Sequence, residues 1–246
     1  MVNTPARLGG VRGWLRRPSG VGLAASACLL AVDTAWLVLF RPPGGLWLVL
    51  WFVLAAAVGC FLPGVANQVS MVRAHLAVPG LVFGLSPQSF GRLVVVVALA
   101  GLTDVLDGTI ARRWERTTRL GGALDPVMDG VFFGAVGIGL AAGGAFPGWL
   151  AAVVVARYLL PAAVGGLLLV AGRRPRLRHT PLGQVSTTLI AVLLGGVGLL
   201  RALGRDAGWL LAVSEVLIPV AAVATFGNLL WVNRAAFGGS RRGRGG

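Results

Sequence analysis

The chain has 246 residues, of which 56% are hydrophobic and only 12% are charged, and its mean hydropathy is +0.82. The charged fraction is about half of that in a typical soluble domain, which excludes both a water-soluble globular fold and a disordered chain. The net charge of +14 comes from 22 arginines without a single lysine. In so apolar a chain, basic clusters indicate cytoplasmic loops in contact with anionic lipids, and we expect no nucleic-acid partner.

Long apolar runs divide the chain into eight predicted membrane-spanning helices. The runs cover residues 21–40, 46–63, 68–86, 92–114, 120–143, 148–172, 183–203 and 208–233. If the N-terminus is inside, 17 of the 22 arginines lie on the inner side and 4 on the outer side. The positive-inside rule then predicts both termini in the cytoplasm. We therefore expect an all-α polytopic protein of the inner (plasma) membrane.

The carboxylates are concentrated at the junction of the fourth and fifth runs. Four of the six aspartates, Asp104, Asp107, Asp125 and Asp129, fall within 26 residues. An ionised carboxylate within a membrane costs about 2.5–3.5 kcal/mol on insertion scales, so four of them together need a compensating cation. Nearby arginines are one candidate for this cation, and a bound divalent metal is the favoured one.

The spacing of these aspartates predicts a site shared by two helices. Asp104 and Asp107 are three residues apart, and Asp125 and Asp129 are four apart, so each pair shares one helix face. The short link 115–119 makes the two helices antiparallel neighbours, and their acidic faces can meet near the cytoplasmic boundary. Carboxylates without His or Cys suit Mg²⁺ or Mn²⁺, and four around one point suit two ions.

The same stretch resembles a known family. It contains all eight fixed positions of the signature of the CDP-alcohol phosphatidyltransferases: Asp104, Asp107, Gly108, Ala111, Arg112, Gly121, Asp125 and Asp129. Asn67, Ser70 and Arg73 lie where the first core helix of that family usually begins. The resemblance covers about residues 66–234, the six-helix catalytic core of the family. It leaves a basic cytoplasmic N-terminus at 1–20, an unexplained transmembrane hairpin at 21–64 and a Gly/Arg-rich cytoplasmic tail at 235–246.

The resemblance implies transfer of a phosphatidyl group from CDP-diacylglycerol to an alcohol acceptor, with release of CMP, in phospholipid biosynthesis. It implies that Asp104, Asp107 and Asp125 are the principal metal ligands. Asp129 would lie near the same metals and act as the general base that takes the proton of the acceptor. Gly108, Ala111, Arg112 and Gly121 would hold the cytidine and its phosphates. The resemblance also implies a homodimer.

The acceptor alcohol is less well defined by the sequence. The context of Gly121 and Asp125 favours glycerol 3-phosphate or phosphatidylglycerol, and inositol phosphate is the alternative. Gly130 and Gln184 replace basic residues that many members carry on the acceptor side. Arg157, deep within the sixth run, is predicted to contact the phosphate of the acceptor, because intramembrane arginines are usually functional. A structural ion pair with Glu215 is the alternative for this residue.

Two alternative functions from other classes of protein stay open at this point. A small transporter could use the acidic cluster as a cation site, but the acids lie at one loop and not on paired broken helices. A catalytically inactive lipid-binding scaffold is disfavoured by the complete set of aspartates. Outside the signature, no partner for Asp33 can be recognised in the sequence. His75 is a single histidine near an interface, and we predict no ligand role for it.

Overall fold

The computed structural model describes residues 17–113, 121–170, 181–232 and 234. In these ranges the chain forms eight α-helices and a short 3₁₀ turn at Pro87–Ser89, with no strand. The helices are α1 (Gly20–Phe40), α2 (Gly45–Cys60), α3 (Val65–Gly84), α4 (Phe90–Arg113), α5 (Gly121–Ala142), α6 (Gly148–Val170), α7 (Pro181–Ala202) and α8 (Gly208–Val232). Each predicted apolar run corresponds to one helix.

Among the residues that the structure describes, five helical segments are long and apolar enough to cross a membrane. They are Gly20–Phe40, Pro87–Ile110, Leu124–Ala142, Leu182–Ala202 and Gly208–Val232. Large apolar side chains are exposed on the outside of the bundle, as lipid contact requires; examples are Leu39 on α1 and Val223 on α8. The predicted all-α polytopic class is confirmed, while the number of spans and their direction stay predictions.

Helix α3 lies at the centre of the fold, in contact with α1, α2, α4 and α5. It is less apolar than α1, α2 and α5 because its first half carries several polar side chains. Asn67, Gln68, Ser70, Arg73 and His75 are all buried. A buried polar group is costly unless it has a partner, so these side chains determine what can pack against the first half of α3.

The second half of α3 crosses α5 at very close range. A Cβ atom added at Gly139 would lie 2.5 Å from the carbonyl oxygen of Leu81, and one at Gly84 would lie 2.8 Å from the backbone of Gly139. Small residues allow such close backbone approach between membrane helices. Phe132 and Val136 of α5 are fully buried in the same core. The contact fixes α3 against α5 and brings the first half of α3 beside the aspartates of α5.

The other helices complete the bundle around this pair. Helix α4 packs against α3 and α7, α6 packs against α5 and α8, and α7 also packs against α8. The shared core contains Leu93, Leu140, Leu150 and Leu194, none of which is accessible to solvent. Because α4 and α5 both contact α3, the two aspartate-bearing helices converge on the same central helix.

Helices α1 and α2 form the hairpin that the resemblance leaves unexplained. Ser19 caps α1 by accepting a hydrogen bond from the amide of Gly22, and Ser26 donates to the carbonyl of Ala56 on α2 at 3.0 Å. Asp33, for which we expect no partner from the sequence, has one: its Oδ2 lies 2.6 Å from Nδ1 of His75 on α3. Both side chains are buried. The hairpin is therefore joined to the core through a polar contact.

Candidate active site

Three aspartates meet at one buried guanidinium group, that of Arg73 on α3. Its Nη1 lies 2.7 Å from Oδ1 of Asp104 on α4. Its Nη2 lies 3.4 Å from Oδ1 of Asp125, and its Nε lies 3.3 Å from Oδ1 of Asp129, both on α5. A single planar group thus contacts carboxylates from two helices. We refer to Asp104, Asp125 and Asp129 as the aspartate cluster.

The exposure of these carboxylates changes across the cluster. The side chain of Asp104 is 61% exposed, that of Asp125 is 32% exposed and that of Asp129 is 8% exposed. Arg73 itself is 1% exposed. Asp104 therefore lies at the open side of the cluster, and Asp129 lies at its closed side.

Ser70 is a second α3 residue at the cluster. Its hydroxyl donates to Oδ1 of Asp125 at 2.6 Å. Ser70 and Arg73 are three residues apart, so they share one face of α3. Asn67, one further turn away, bonds instead to the carbonyl of Pro63. The sequence analysis places these residues at the start of the core but assigns them no role in the site. Their three-residue spacing in a membrane helix is the feature that could have indicated such a role.

Several predicted site residues are described only in part. Asp107, Gly108, Ala111 and Arg112 belong to α4, and Gly121 begins α5. Gly108 is half-buried, one turn beyond Asp104. The side chains of Asp107, Ala111 and Arg112 lie outside the described part of the chain. So do the predicted link 115–119, residues 1–16 and the predicted tail 235–246.

The donor chemistry of the cluster fits a divalent cation. In the described ranges, no group of three or more His, Cys, Asp or Glu side chains is placed so that it could hold a metal ion. However, the three carboxylates of the cluster offer only oxygen donors, which Mg²⁺ and Mn²⁺ prefer. Three carboxylates against the one guanidinium of Arg73 leave an excess of two negative charges, even before Asp107 is counted. A divalent cation at the open side would balance this excess.

Arg157 on α6 forms a separate buried polar group with α7. Its Nε donates to Oγ of Ser186 at 2.9 Å, and its Nη2 donates to the carbonyl of Gly183 and to Oγ1 of Thr187, each at 3.1 Å. The guanidinium carbon lies 4.4 Å from the ring centroid of Tyr158. These neutral partners orient the guanidinium without neutralising it. Within the described ranges, the contacts of Arg157 thus include no carboxylate.

The alternative partner of Arg157 lies elsewhere. Glu215 is an exposed residue of α8, and the contacts described for Arg157 go to α7 and to Tyr158.

Tyr158 also explains one of the departures from the family pattern. A Cβ atom at Gly130 would lie 2.6 Å from Cβ of Tyr158, so Tyr158 occupies the space beside position 130. The other departure, Gln184, is exposed on α7.

The chain is similar in sequence to known proteins. The family model "CDP-alcohol phosphatidyltransferase" matches residues 64–227. A CMP-forming cardiolipin synthase of Streptomyces coelicolor is 33% identical over 132 residues, which are 51% of this chain and 61% of the relative. The CDP-diacylglycerol–glycerol-3-phosphate 3-phosphatidyltransferase of Yersinia enterocolitica is 34% identical over 146 residues, 58% of this chain and 77% of the relative. Its counterpart in Salmonella typhimurium is 32% identical over 147 residues, with 58% and 78% covered.

The matched region contains every residue of the aspartate cluster, together with Arg73 and Arg157. It begins directly after the α1–α2 hairpin and runs into α8. The match covers well over half of the chain, and the resemblance noted in the signature is confirmed. The chain therefore belongs to the CDP-alcohol phosphatidyltransferase family, the membrane-bound transferases of phospholipid biosynthesis that use divalent metal ions.

Proposed function

We propose that this protein transfers a phosphatidyl group from CDP-diacylglycerol to an alcohol acceptor and releases CMP, with the aspartate cluster as its reaction centre. The observation that carries the proposal is the convergence of carboxylates from α4 and α5 on Arg73. A transporter could also use an acidic cation site, but these carboxylates converge from two neighbouring helices and not from paired broken helices. The names of the relatives support the same reaction.

We propose that Asp104, Asp107, Asp125 and Asp129 hold two divalent ions, Mg²⁺ or Mn²⁺. When bound, the ions supply positive charge that offsets the repulsion between diphosphate and nucleophile and stabilises the departing CMP. The residues of α3 prepare the site for them. Ser70 holds Asp125, and Arg73 holds all three members of the cluster, so that the carboxylates stay together despite their mutual repulsion.

Asp129 is proposed as the general base. Its side chain is the least exposed of the cluster, which shields a proton transfer from bulk water. The carboxylate accepts the hydroxyl proton of the acceptor while the new oxygen–phosphorus bond forms and the bond to CMP breaks. Arg73 Nε, 3.3 Å from Oδ1, places positive charge beside this carboxylate.

The nucleotide is assigned to the α4 side of the cluster. Gly108 lies one turn beyond Asp104, and its lack of a side chain leaves room for a phosphorylated group to approach the backbone. We propose that Gly108, Ala111 and Gly121 line the cytidine site. Arg112 supplies a forked, charge-assisted contact to phosphate.

For the acceptor we propose glycerol 3-phosphate, which the name of the Yersinia relative contains, or phosphatidylglycerol. Both carry a phosphate, and Arg157 is the proposed contact for it. The support is that Arg157 is buried, held in place by α7 and surrounded by neutral partners. Inositol phosphate is the alternative acceptor, because it carries the same group.

The proposed topology has eight spans in the inner membrane, both termini in the cytoplasm and the reaction centre facing the cytoplasm. The charge asymmetry of the loops supports it, with 17 of the 22 arginines on the inner side. The chain then divides into a basic N-terminus (1–20), the hairpin (21–64), the catalytic core (66–234) and a basic tail (235–246) near anionic lipids. A homodimer is proposed from the family resemblance.

The test is CMP release by the purified full chain. The protein in lipid–detergent micelles is given CDP-diacylglycerol, Mg²⁺ and, in separate reactions, glycerol 3-phosphate, phosphatidylglycerol or inositol phosphate. We expect CMP with one of the first two acceptors and no CMP in EDTA. The variant Asp104→Asn alters the aspartate cluster, and Asp206→Asn is its matched control. Asp206 is exposed and accepts only a local hydrogen bond, from the amide of Gly208. No CMP with any acceptor would contradict the reaction, and full activity in EDTA would contradict the metal site.

A further inference from the structure

The α1–α2 hairpin precedes the matched family region, and no residue of the hairpin has a role in the proposed reaction. Nevertheless, polar side chains join it to α3 at several points. Near the start of α3, the side-chain amide of Gln68 donates to the carbonyl of Gly59 on α2 (2.9 Å) and to that of Leu62 just beyond α2 (2.7 Å). Half-way along, the indole of Trp51 on α2 donates to the carbonyl of Ala74 at 2.9 Å. These bonds go from the hairpin to the half of α3 that carries Arg73.

The third connection is the pair Asp33–His75. Oδ2 of Asp33 on α1 lies 2.6 Å from Nδ1 of His75. The ring of His75 also stacks on Phe52 of α2, with 6.1 Å between centroids and 5° between planes. One α3 side chain is thus held by both helices of the hairpin. Burying an unpaired polar group in a membrane protein costs free energy. Asp33 and His75 are therefore each stabilised in the position where they can contact the other.

Helix α3 needs such external support. It continues through Pro79, which has no N–H to donate to the carbonyl of His75 four residues earlier. The backbone ladder is therefore interrupted just after the segment that carries Ser70 and Arg73. The orientation of this segment depends on side-chain contacts with its neighbours more than it would in an uninterrupted helix.

The two faces of the segment have different partners. Arg73 and His75 are two residues apart, which places them on nearly opposite sides of the helix, about 200° apart. Arg73 points to the aspartate cluster, and His75 points to the hairpin. Any rotation or shift of this segment that breaks the contact at His75 also moves Arg73 relative to the carboxylates.

We propose that the α1–α2 hairpin is a brace for the active site and that Asp33, His75 and Trp51 are positioning residues. They fix the first half of α3 so that Ser70 and Arg73 hold the aspartate cluster in the geometry that accepts the metal ions. The proposal rests on the proposed function, because the cluster is the reaction centre only if that function is right. It predicts that contacts far from the substrate determine the metal requirement of the enzyme.

The experiment compares two variants with matched controls in the full chain. Asp33→Ala removes the partner of His75, and its control Thr34→Ala alters an exposed neighbour that bonds only within α1. Trp51→Phe removes one hydrogen bond but keeps a ring, and its control Trp47→Phe alters an exposed tryptophan. Two quantities are measured for each: amide hydrogen exchange of residues 65–75, and the Mg²⁺ concentration that gives half-maximal CMP release.

We expect both quantities to change in the variants and neither to change in the controls. Losing one buried hydrogen bond corresponds to about a tenfold effect, so exchange in 65–75 should be about tenfold faster and half-maximal activity should need about tenfold more Mg²⁺. The exchanged pair Asp33→His with His75→Asp should restore part of both. If the hairpin has only a structural role, the two variants should unfold at a lower temperature, but the folded protein should need the same Mg²⁺ concentration as before. That result would overturn the proposal.

The two hypotheses fail in different ways. If the unaltered protein releases no CMP, the proposed function is wrong, while the exchange rates still report whether the hairpin holds α3. If CMP release is normal and Trp51→Phe has wild-type exchange and wild-type Mg²⁺ dependence, the brace is wrong and the function stands. Trp51→Phe keeps this test decisive even if Asp33→Ala does not fold, because it preserves most of the packing.

Discussion

Tyr158 of α6 packs directly against the backbone of Gly130 on α5. A Cβ atom at Gly130 would lie 2.6 Å from Cβ and 2.9 Å from Cγ of Tyr158. These are the first atoms of the tyrosine side chain, so they cannot move aside without moving α6. The guanidinium carbon of Arg157 lies 4.4 Å from the centroid of the same tyrosine ring. The absence of a side chain at position 130 therefore determines where the arginine next to Tyr158 is placed.

From this contact we predict that Gly130→Ala destabilises the protein. The added methyl group forces α5 and α6 apart, and overpacking of this kind costs about 1–3 kcal/mol. The measurement is the unfolding transition in detergent, by heat or by denaturant. Gly227→Ala on α8 is the control, since nothing lies within 4 Å of a Cβ atom there. Equal stability of the two variants would contradict the tight contact.

Arg73 is predicted to stabilise the metal-free protein by balancing the aspartate cluster. Arg73→Met keeps an unbranched side chain but removes the guanidinium that lies beside the nearly buried Asp129. Removing one partner of a buried ion pair costs about 3–5 kcal/mol, so this variant should unfold earlier than the unaltered protein in EDTA. Added Mg²⁺ should recover much of the loss, because the ion supplies the missing charge.

Arg73→Lys separates charge from geometry. A lysine ammonium is a point charge and cannot reproduce the three-way contact of the guanidinium with Asp104, Asp125 and Asp129. We expect this variant to be more stable than Arg73→Met in EDTA but still less active than the unaltered protein. If Arg73→Met is as stable as the unaltered protein in EDTA, the guanidinium does not hold the cluster together.

The sequence predicted the helices well because their apolar runs are long and clearly interrupted. The first run, 21–40, corresponds to Gly20–Phe40, and the last, 208–233, corresponds to Gly208–Val232. The largest difference at a helix start is in α3, predicted from residue 68 but beginning at Val65. Polar residues occupy this first turn, so a search for apolar runs starts too late. Burial against other helices, and not lipid contact, is what permits them there.

The partners of the buried polar residues could not be predicted in the same way. The spacing of the aspartates indicated that they would face each other, but not that Arg73 would lie between them. Asp33 and His75 are 42 residues apart in the chain, and their pairing depends on how the hairpin packs on α3. Helical periodicity specifies which residues share a face of one helix. It does not specify which face of another helix they meet.

Arg157 is predicted to act on the acceptor and not on CDP-diacylglycerol. Arg157→Ala should raise the KM of the acceptor by at least about tenfold, the value of one charge-assisted hydrogen bond, and change the KM of CDP-diacylglycerol much less. Steady-state kinetics with each substrate varied in turn measure both. Ser186→Ala removes one of its supports and should give a smaller change in the same direction. Equal effects on both substrates would favour a structural role in joining α6 to α7.

The last prediction separates the general base from the metal ligands. Asp129→Asn keeps the shape and one oxygen but cannot accept a proton, so turnover should fall by about 10²–10⁴, the usual contribution of a general base. Binding of cytidine nucleotide should largely persist. Asp104→Asn removes charge at the open side of the cluster, so it should weaken metal and nucleotide binding together, and excess Mg²⁺ should partly restore its activity. Nucleotide affinity and metal-dependent turnover are titrated for both variants, with Asp206→Asn as the control. If Asp129→Asn loses nucleotide affinity as strongly as Asp104→Asn does, Asp129 acts mainly as a metal ligand, and another group accepts the proton.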